Sequence, residues 1–411
     1  MDPVTNPYTP NAGATPIALV GRDDQLASFD ILLGRLRNGY PEQSMIVTGL
    51  RGVGKTVLLG AFARKAESAG WKVIEIEVPK RDTDLHFRRQ ISQGVRKALL
   101  TMSTPDRWRD LMRKAVGVLR SFTLSVDPEG NLTAGLGVEQ ALGQADTGDL
   151  ALDLTDMLVA LGEAAQEEET GVVLLVDEVQ FLTTDQLEGV IMALHKTVQR
   201  ALPVTMVAAG LPQIAELAGQ AKSYAERLFK FPEIGNFGAE DARKALTAPA
   251  RRHGVEYDDD ALDLCASITD GYPYFLQELG YAIWPIAHGS RITRRDVELA
   301  EVDYTAKLDG SFFRVRLDRT TNLERAYMRA MAELGPEPHG TGEVARLLSR
   351  TSAQVATVRA TLIQKGLLYT PEYGSTQFTV PHFDQFMLRA VPDLRVPEVR
   401  PRGRKGAAEQ L

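Results

Sequence analysis

The stretch GLRGVGKT, Gly49 to Thr56, restricts this chain more than any other. It follows the apolar run Met45, Ile46, Val47 and precedes VLLGAFARKAESAG, whose apolar positions recur at helical spacing. A strand, a tight glycine-bearing turn and a helix start are therefore forced into succession. Gly49, Gly52 and Gly54 let successive backbone N–H groups point at one place, and the helix N-terminus adds its partial positive charge there. Lys55 is spaced to reach the β and γ oxygens of a triphosphate, and Thr56 to offer a hydroxyl to Mg²⁺.

A second motif answers the first. GVVLLVDEVQ, Gly171 to Gln180, is an unbroken apolar run ending in two acids, the pattern of a strand buried on both faces of a parallel sheet. Such a strand presents its C-terminal end to a ligand crevice. Asp177 is then placed to hold the magnesium shell, and Glu178 to orient and deprotonate a water. A kinase acting on a substrate hydroxyl has no use for that second acid, so hydrolysis is favoured over phosphate transfer to a metabolite.

Strands are expected near Met45 to Thr48, Lys72 to Val78, Val172 to Val176, Val204 to Ala209 and Phe229 to Glu233, alternating with helices. The fold class is α/β: a P-loop doubly wound parallel sheet, followed by an all-helical lid and a C-terminal winged helix. With 411 residues the chain is long enough for two or three domains. Its one cysteine, Cys265, sits among Leu262, Leu264 and Ile268 and reads as a small buried hydrophobe. A net charge of -7 argues against coating nucleic acid by bulk electrostatics. No segment approaches an apolar membrane span, so a soluble, cytoplasmic protein without membrane partners is expected.

Taken in order, VGRDDQL, GLRGVGKT, VVLLVDEVQ, LPVTMVAAGLP, SYAERLFKF and DGYPYFLQELG resemble an AAA+ ATPase of the branch shared by origin-recognition initiators and the STAND signalling ATPases. The resemblance runs from about Ile17 to Val391. It implies ATP and Mg²⁺ as cofactors and places Arg22 near the adenine or ribose; the plain alternative is a helix start capped by Asp23 or Asp24. It puts Arg227 where relatives carry an arginine finger acting on a neighbouring subunit, which would make the protein a homo-oligomer; a surface ion pair with Glu226 or Glu233 is the competing reading. In Gly271-Tyr272-Pro273 it replaces the initiators' lid arginine by a STAND-like glycine and proline against the nucleotide; Pro273 also fits a first helical turn. At the end of the fourth strand, where the family has a polar residue touching the γ-phosphate, this chain has Gly210, with Thr205 and Gln213 the nearest polar candidates. Slow turnover is expected.

The organisation follows: residues 1–16 a disordered tail, 17–235 the ATPase core, 236–310 the lid, 320–394 a winged helix-turn-helix and 395–411 a basic disordered tail. Within the core, SFTLSVDPEGNLTAGLGVE is expected to form a hairpin insertion over about 121–148. Thr183 and Gln186 fit a capping box. The recognition-helix position of that domain is taken by SAQVATVRATLIQKG, with Val355, Val358 and Leu362 facing the core and Gln354, Thr357, Thr361 and Gln364 opposite. Only Arg359 and Lys365 add positive charge there. Two functions remain open: a slow ATP-driven switch that docks DNA through the winged helix, or a signalling or scaffolding ATPase whose hairpin and winged helix bind protein.

Overall fold

The computed structural model describes residues 1–11, 13–80, 83–102, 110–124, 144–372 and 374–397. The chain divides into two compact units, Met1–Glu301 and Val302–Leu411.

The first unit opens with α1 (Asp23–Arg37), β1 (Ser44–Thr48), α2 (Lys55–Ser68), β2 (Lys72–Glu77), α3 (Asp84–Met102), α4 (Asp110–Leu124) and α5 (Leu150–Glu167). It continues through β3 (Val172–Asp177), α6 (Thr184–Gln199), β4 (Val204–Gly210), α7 (Ile214–Ala221), α8 (Ala225–Leu228) and β5 (Phe229–Lys230). The five strands form one sheet in the order β2-β3-β4-β1-β5, every pairing parallel. Parallel strands need both faces covered, which is why β1 and β4 are buried along their whole length. Val172, Leu174 and Val176 of β3 pack with Leu154 and Leu158 of α5 and Ile191 of α6, while the alternate residues Val173 and Leu175 are buried on the other side. β5 is shorter than the sequence suggests. Pro232 has no N–H for the ladder, so regular pairing stops at Lys230 and resumes only as the single bridge Thr48–Glu233.

Two further ties fix the elements behind the sheet. Thr183 and Gln186 form the expected capping box at the start of α6. Arg88 of α3 and Asp153 of α5 form a buried ion pair at 3.0 Å, with the guanidinium 5.0 Å from the Phe122 ring and Asp153 also accepting from the Thr147 N–H and hydroxyl. Of the expected hairpin insertion, Ser121–Leu124 instead form the last turn of α4. The remainder of its turn, 125–143, lies outside the described residues.

The region expected to form the lid follows as α9 (Ala239–Arg251), α10 (Asp259–Thr269), α11 (Pro273–Ile286) and the start of α12 (Arg294–Lys307). It is not wholly helical: β6 (Glu256–Tyr257) pairs in parallel with β7 (Arg291–Ile292), a ladder too short to leave a periodic trace in sequence. The N-terminal residues contradict the expected disordered tail. Tyr8 is 1% exposed, its hydroxyl shared between the Leu246 carbonyl and Tyr257 and its ring against Gly280. Asn6 donates to the Tyr281 carbonyl, and the Trp284 indole N–H to that of Asp2. A composition rich in Pro, Asn and Thr hid one aromatic anchor.

In the second unit a π-helical turn (Leu308–Phe313) continues α12 into α13 (Arg314–Leu317). There follow α14 (Asn322–Leu334), β8 (His339–Gly340), α15 (Thr341–Leu347), α16 (Ser352–Gln364), β9 (Leu368–Tyr369), β10 (Ser375–Phe378) and α17 (Phe383–Ala390). The strands pair antiparallel in the order β8-β10-β9. Val355 and Leu362 are buried, Val358 is half-buried, and Gln354, Thr357 and Gln364 are exposed. Residues 398–411, most of the expected basic tail, lie outside the described residues.

Candidate functional site

The parallel sheet brings the ends of β1, β4 and β3 side by side, and the P-loop and the acid pair flank the end of β4. Gly49 donates its N–H to the Gly210 carbonyl at 3.2 Å, closing the gap between β1 and β4. No side chain fits at Gly49, because a Cβ there would lie 2.3 Å from the Ile234 carbonyl. Gly52 and Gly54 have φ of 85° and 93°, the left-handed region that favours glycine, and Gly54 leads directly into α2. Lys55 folds back over the loop and donates to the carbonyls of Gly49 (2.8 Å) and Leu50 (2.7 Å). Burial, assisted by the neighbouring Arg51 charge, pulls its pKa down to about 8, against the opposing pull of Glu178 and Asp177.

Thr56 donates its hydroxyl to Asp177 Oδ2 at 2.6 Å, so the first turn of α2 and the end of β3 meet in one hydrogen bond. The other Asp177 oxygen accepts the Glu178 N–H at 2.8 Å. A hydroxyl and a carboxylate are the hard oxygen donors that Mg²⁺ prefers, and they converge where the loop opens. Among the described residues no group of three His, Cys, Asp or Glu could cage a metal. An ion held here would need the phosphates to complete its shell, and the donor set fits a magnesium–triphosphate.

Arg22 is buried, and its guanidinium donates to the carbonyls of Gly21, Val53 and Gly235 while lying 4.9 Å from the Phe237 ring. Burial pulls its pKa below the ordinary guanidinium value, with Asp241 opposing. It thus ties the P-loop to the chain that leads into α9. Neither Asp23 nor Asp24 caps α1; the cap position is Arg22 itself and both acids fall in the first turn.

Just before α11, Gly271 has φ of 64° and no room for a Cβ, which would lie 2.4 Å from the Phe237 carbonyl. Pro273 occupies the first turn of α11. Between them, Tyr272 is buried and abuts the P-loop: a Cβ on Gly52 would lie 2.8 Å from its hydroxyl oxygen. Sequence reasoning singled out the flanking glycine and proline and passed over this tyrosine.

Two expectations about polar groups change. Thr205 pairs with Ser44 at 3.0 Å near the start of β4, several residues from the site, and serves the sheet. The position facing Gly210 is instead filled by Gln180, whose Oε1 accepts the Leu211 N–H at 3.0 Å and whose Nε2 donates to Glu178. Arg227 is exposed on α8, and among the described residues it forms no ion pair with Glu226 or Glu233. Phe229 pairs with Ser44, so Arg227 lies at the N-terminal end of β1, roughly 15 Å of strand away from the P-loop of its own chain.

A five-stranded parallel sheet with a phosphate loop after β1 and an acid pair after β3 defines a P-loop nucleotide-binding domain. Residues 18–207 match the family model described as the AAA ATPase domain, which supports an AAA+ P-loop ATPase. Residues 310–387 match a model described as a domain of unknown function (DUF8462). No curated protein matches the chain in sequence. The fold is similar to that of a Walker-type ATPase of Pyrococcus abyssi, at TM-score 0.58 and 13% identity over 90% of this chain and 96% of that one. Other similar structures are the Orc1 protein of Aeropyrum pernix in complex with DNA (TM-score 0.44, 17% identity, 92% and 94% covered) and Cdc6p of Pyrobaculum aerophilum (0.45, 15%, 95% and 97%).

Proposed function

We propose that the protein is a slow, magnesium-dependent ATPase that works as a conformational switch, with its C-terminal unit docking a partner protein. The observation that carries the reading is the hydrogen bond from Thr56 to Asp177 beside a Lys55 whose ammonium rests on two loop carbonyls. Phosphate oxygens are better acceptors for that ammonium than the carbonyls they would replace.

ATP enters with its phosphates along Gly49–Thr56 and the backbone N–H groups of Gly52 and Gly54. Lys55 neutralises the β and γ oxygens; Thr56 and Asp177 would hold a magnesium ion, which would supply further neutralisation of the phosphate charge. Glu178 takes a proton from a water whose oxygen forms the new bond to the γ-phosphorus. The bond from that phosphorus to the β–γ bridging oxygen breaks, and its electron pair leaves with ADP. Tyr272, with Gly271 and Pro273, couples the lid to the loop and supports the STAND-like reading. The Arg227 guanidinium, without an ion pair among the described residues and too far from its own loop to act in cis, supports an assembly in which it serves a neighbour's nucleotide.

For the C-terminal unit we infer a winged helix-turn-helix: α14, α15 and α16, with β9 and β10 as the wing. The cations within α16 and at its C-cap, Arg359 and Lys365, are both spent internally. Arg359 donates to the Thr370 hydroxyl and the Ser375 carbonyl, each at 3.0 Å, and Lys365 pairs with Glu324 at 2.7 Å. Phosphate contacts supply most of the affinity for DNA. A neutral exposed face of Ser352, Gln354 and Thr357 therefore favours protein as the target over DNA. Two measurements test the proposal. Glu178→Gln should bind ATP as the parent does and lose about 10²- to 10⁴-fold in turnover; normal turnover would remove Glu178 as the base. Retention on DNA at low salt that responds to ATP would overturn the protein-docking assignment.

A further inference from the structure

Every ATPase that uses a carboxylate to activate water must hold that carboxylate at a set distance from the γ-phosphorus, because proton transfer tolerates little error in position. The end of β4 lies between the loop and the acids and is the natural anchor for such a hold, yet Gly210 offers no side chain. Nor could it accept one. A Cβ on Gly210 would lie 2.8 Å from Gln180 Oε1 and 2.8 Å from Val179 Cγ1. The space is taken by the Gln180 amide, which bridges two elements: Oε1 accepts from the Leu211 N–H at 3.0 Å, and Nε2 donates to Glu178 Oε2.

The second Glu178 oxygen also has a neighbour. Oε1 is 3.6 Å from Nη1 of Arg51, a residue inside the phosphate loop. Arg51 Nη2 is buried and makes no hydrogen bond among the described residues, so this guanidinium has a donor to spare at the loop. Glu178 itself has φ of 54° and ψ of 37°, a left-handed conformation uncommon for a residue with a side chain. That conformation lies between the end of β3 and a short 3₁₀ turn, Val179–Phe181, that carries Gln180.

We propose that Gln180 is the positioning residue for water activation, taking through its amide the place that Gly210 leaves vacant, and that Arg51 holds the other Glu178 oxygen until a γ-phosphate draws the guanidinium away. The inference rests on the ATPase reading above. A dianionic terminal phosphate attracts the guanidinium more strongly than one carboxylate does, and accommodates its unused donor. Glu178 then keeps one fixed tie, to Gln180, and one oxygen open to water. ADP lacks the group that releases the arm, so the site is set for hydrolysis only when triphosphate is bound.

The test uses the full chain and four proteins: parent, Gln180→Met, Gln180→Glu and Arg51→Met. Gln180→Met keeps the side chain's length and removes the amide donor to Glu178, so a space-filling role would tolerate it; Gln180→Glu keeps an acceptor for the Leu211 N–H and sets a second carboxylate against Glu178. Expected for both are an ATP Kd within about threefold of the parent and a kcat lower by about tenfold or more. Affinity for ADP with aluminium fluoride, a mimic of the phosphoryl transition state, should fall with kcat, while affinity for ADP with beryllium fluoride holds. For Arg51→Met the ratio of ADP to ATP dissociation constants should fall by about tenfold, since only ATP gains the arm. Parent-like kcat in either Gln180 variant overturns the positioning role, and an unchanged nucleotide ratio in Arg51→Met overturns the release. If the parent protein takes up no ATP, the ATPase reading fails instead, and the two failures are read from different samples.

Discussion

Lys55 gives the sharpest solution test of the site, because its charge depends on what fills the loop. Burial holds its pKa at about 8, down from 10.5. In the nucleotide-free protein the side chain is about nine-tenths charged at pH 7 and about one-tenth charged at pH 9. A triphosphate laid against the ammonium favours the charged form and raises the pKa again. Binding at pH 9 must then draw nearly one proton from solution, whereas binding at pH 7 draws almost none. The dissociation constant for ATP should be flat between pH 7 and 7.5 and then weaken by about tenfold per pH unit above 8. Titration calorimetry at pH 9 in two buffers of different ionisation enthalpy reads the proton directly. Lys55→Arg, charged throughout this range, should lose the pH dependence even if it binds less well.

The sign for stability is opposite. Between pH 8 and 10.5 the unfolded chain keeps its lysine proton while the folded one sheds it, so the nucleotide-free protein gains stability from this group as pH rises through that window. The full shift corresponds to roughly 3 kcal/mol as an order of magnitude. No proton uptake at pH 9, with an ATP affinity that ignores pH, would refute the reasoning.

Two further outcomes are expected. Asp153→Ala strands the buried Arg88 guanidinium and should cost about 3 to 5 kcal/mol by denaturant unfolding, while Arg88→Met with Asp153→Leu should cost far less than the two single losses summed; additivity would show the pair to be uncoupled. Arg227→Ala should lower turnover by about 10³-fold only at concentrations where the protein self-associates; equal loss in dilute monomer would exclude action on a neighbour.

What could be read from the sequence was whatever a local pattern encodes. The apolar runs of β1, β3 and β4 and the spacing from Gly49 to Thr56 each fix their own geometry, and the sheet, the loop and the strand-end position of Asp177 and Glu178 followed. Long-range pairings were hidden. Tyr8 looked like part of a loose tail because its partners, Leu246 and Tyr257, are some 240 residues away. Thr205 was a polar candidate by proximity in sequence, but parallel pairing sets Gly210, not Thr205, beside Thr48 at the loop. Gln180 stood in plain view after the acid pair; only the left-handed turn at Glu178 brings its amide to the end of β4. Tyr272 was overlooked between a glycine and a proline that carry the more familiar pattern, although it is the side chain that meets Gly52.

The most direct test of the whole account is equilibrium binding of ATP to the full chain with and without magnesium, with Lys55→Ala as the control. Saturable, magnesium-enhanced uptake by the parent and none by the variant is the expected result. A parent protein that stays unoccupied in millimolar ATP, or a variant that binds equally well, would contradict it.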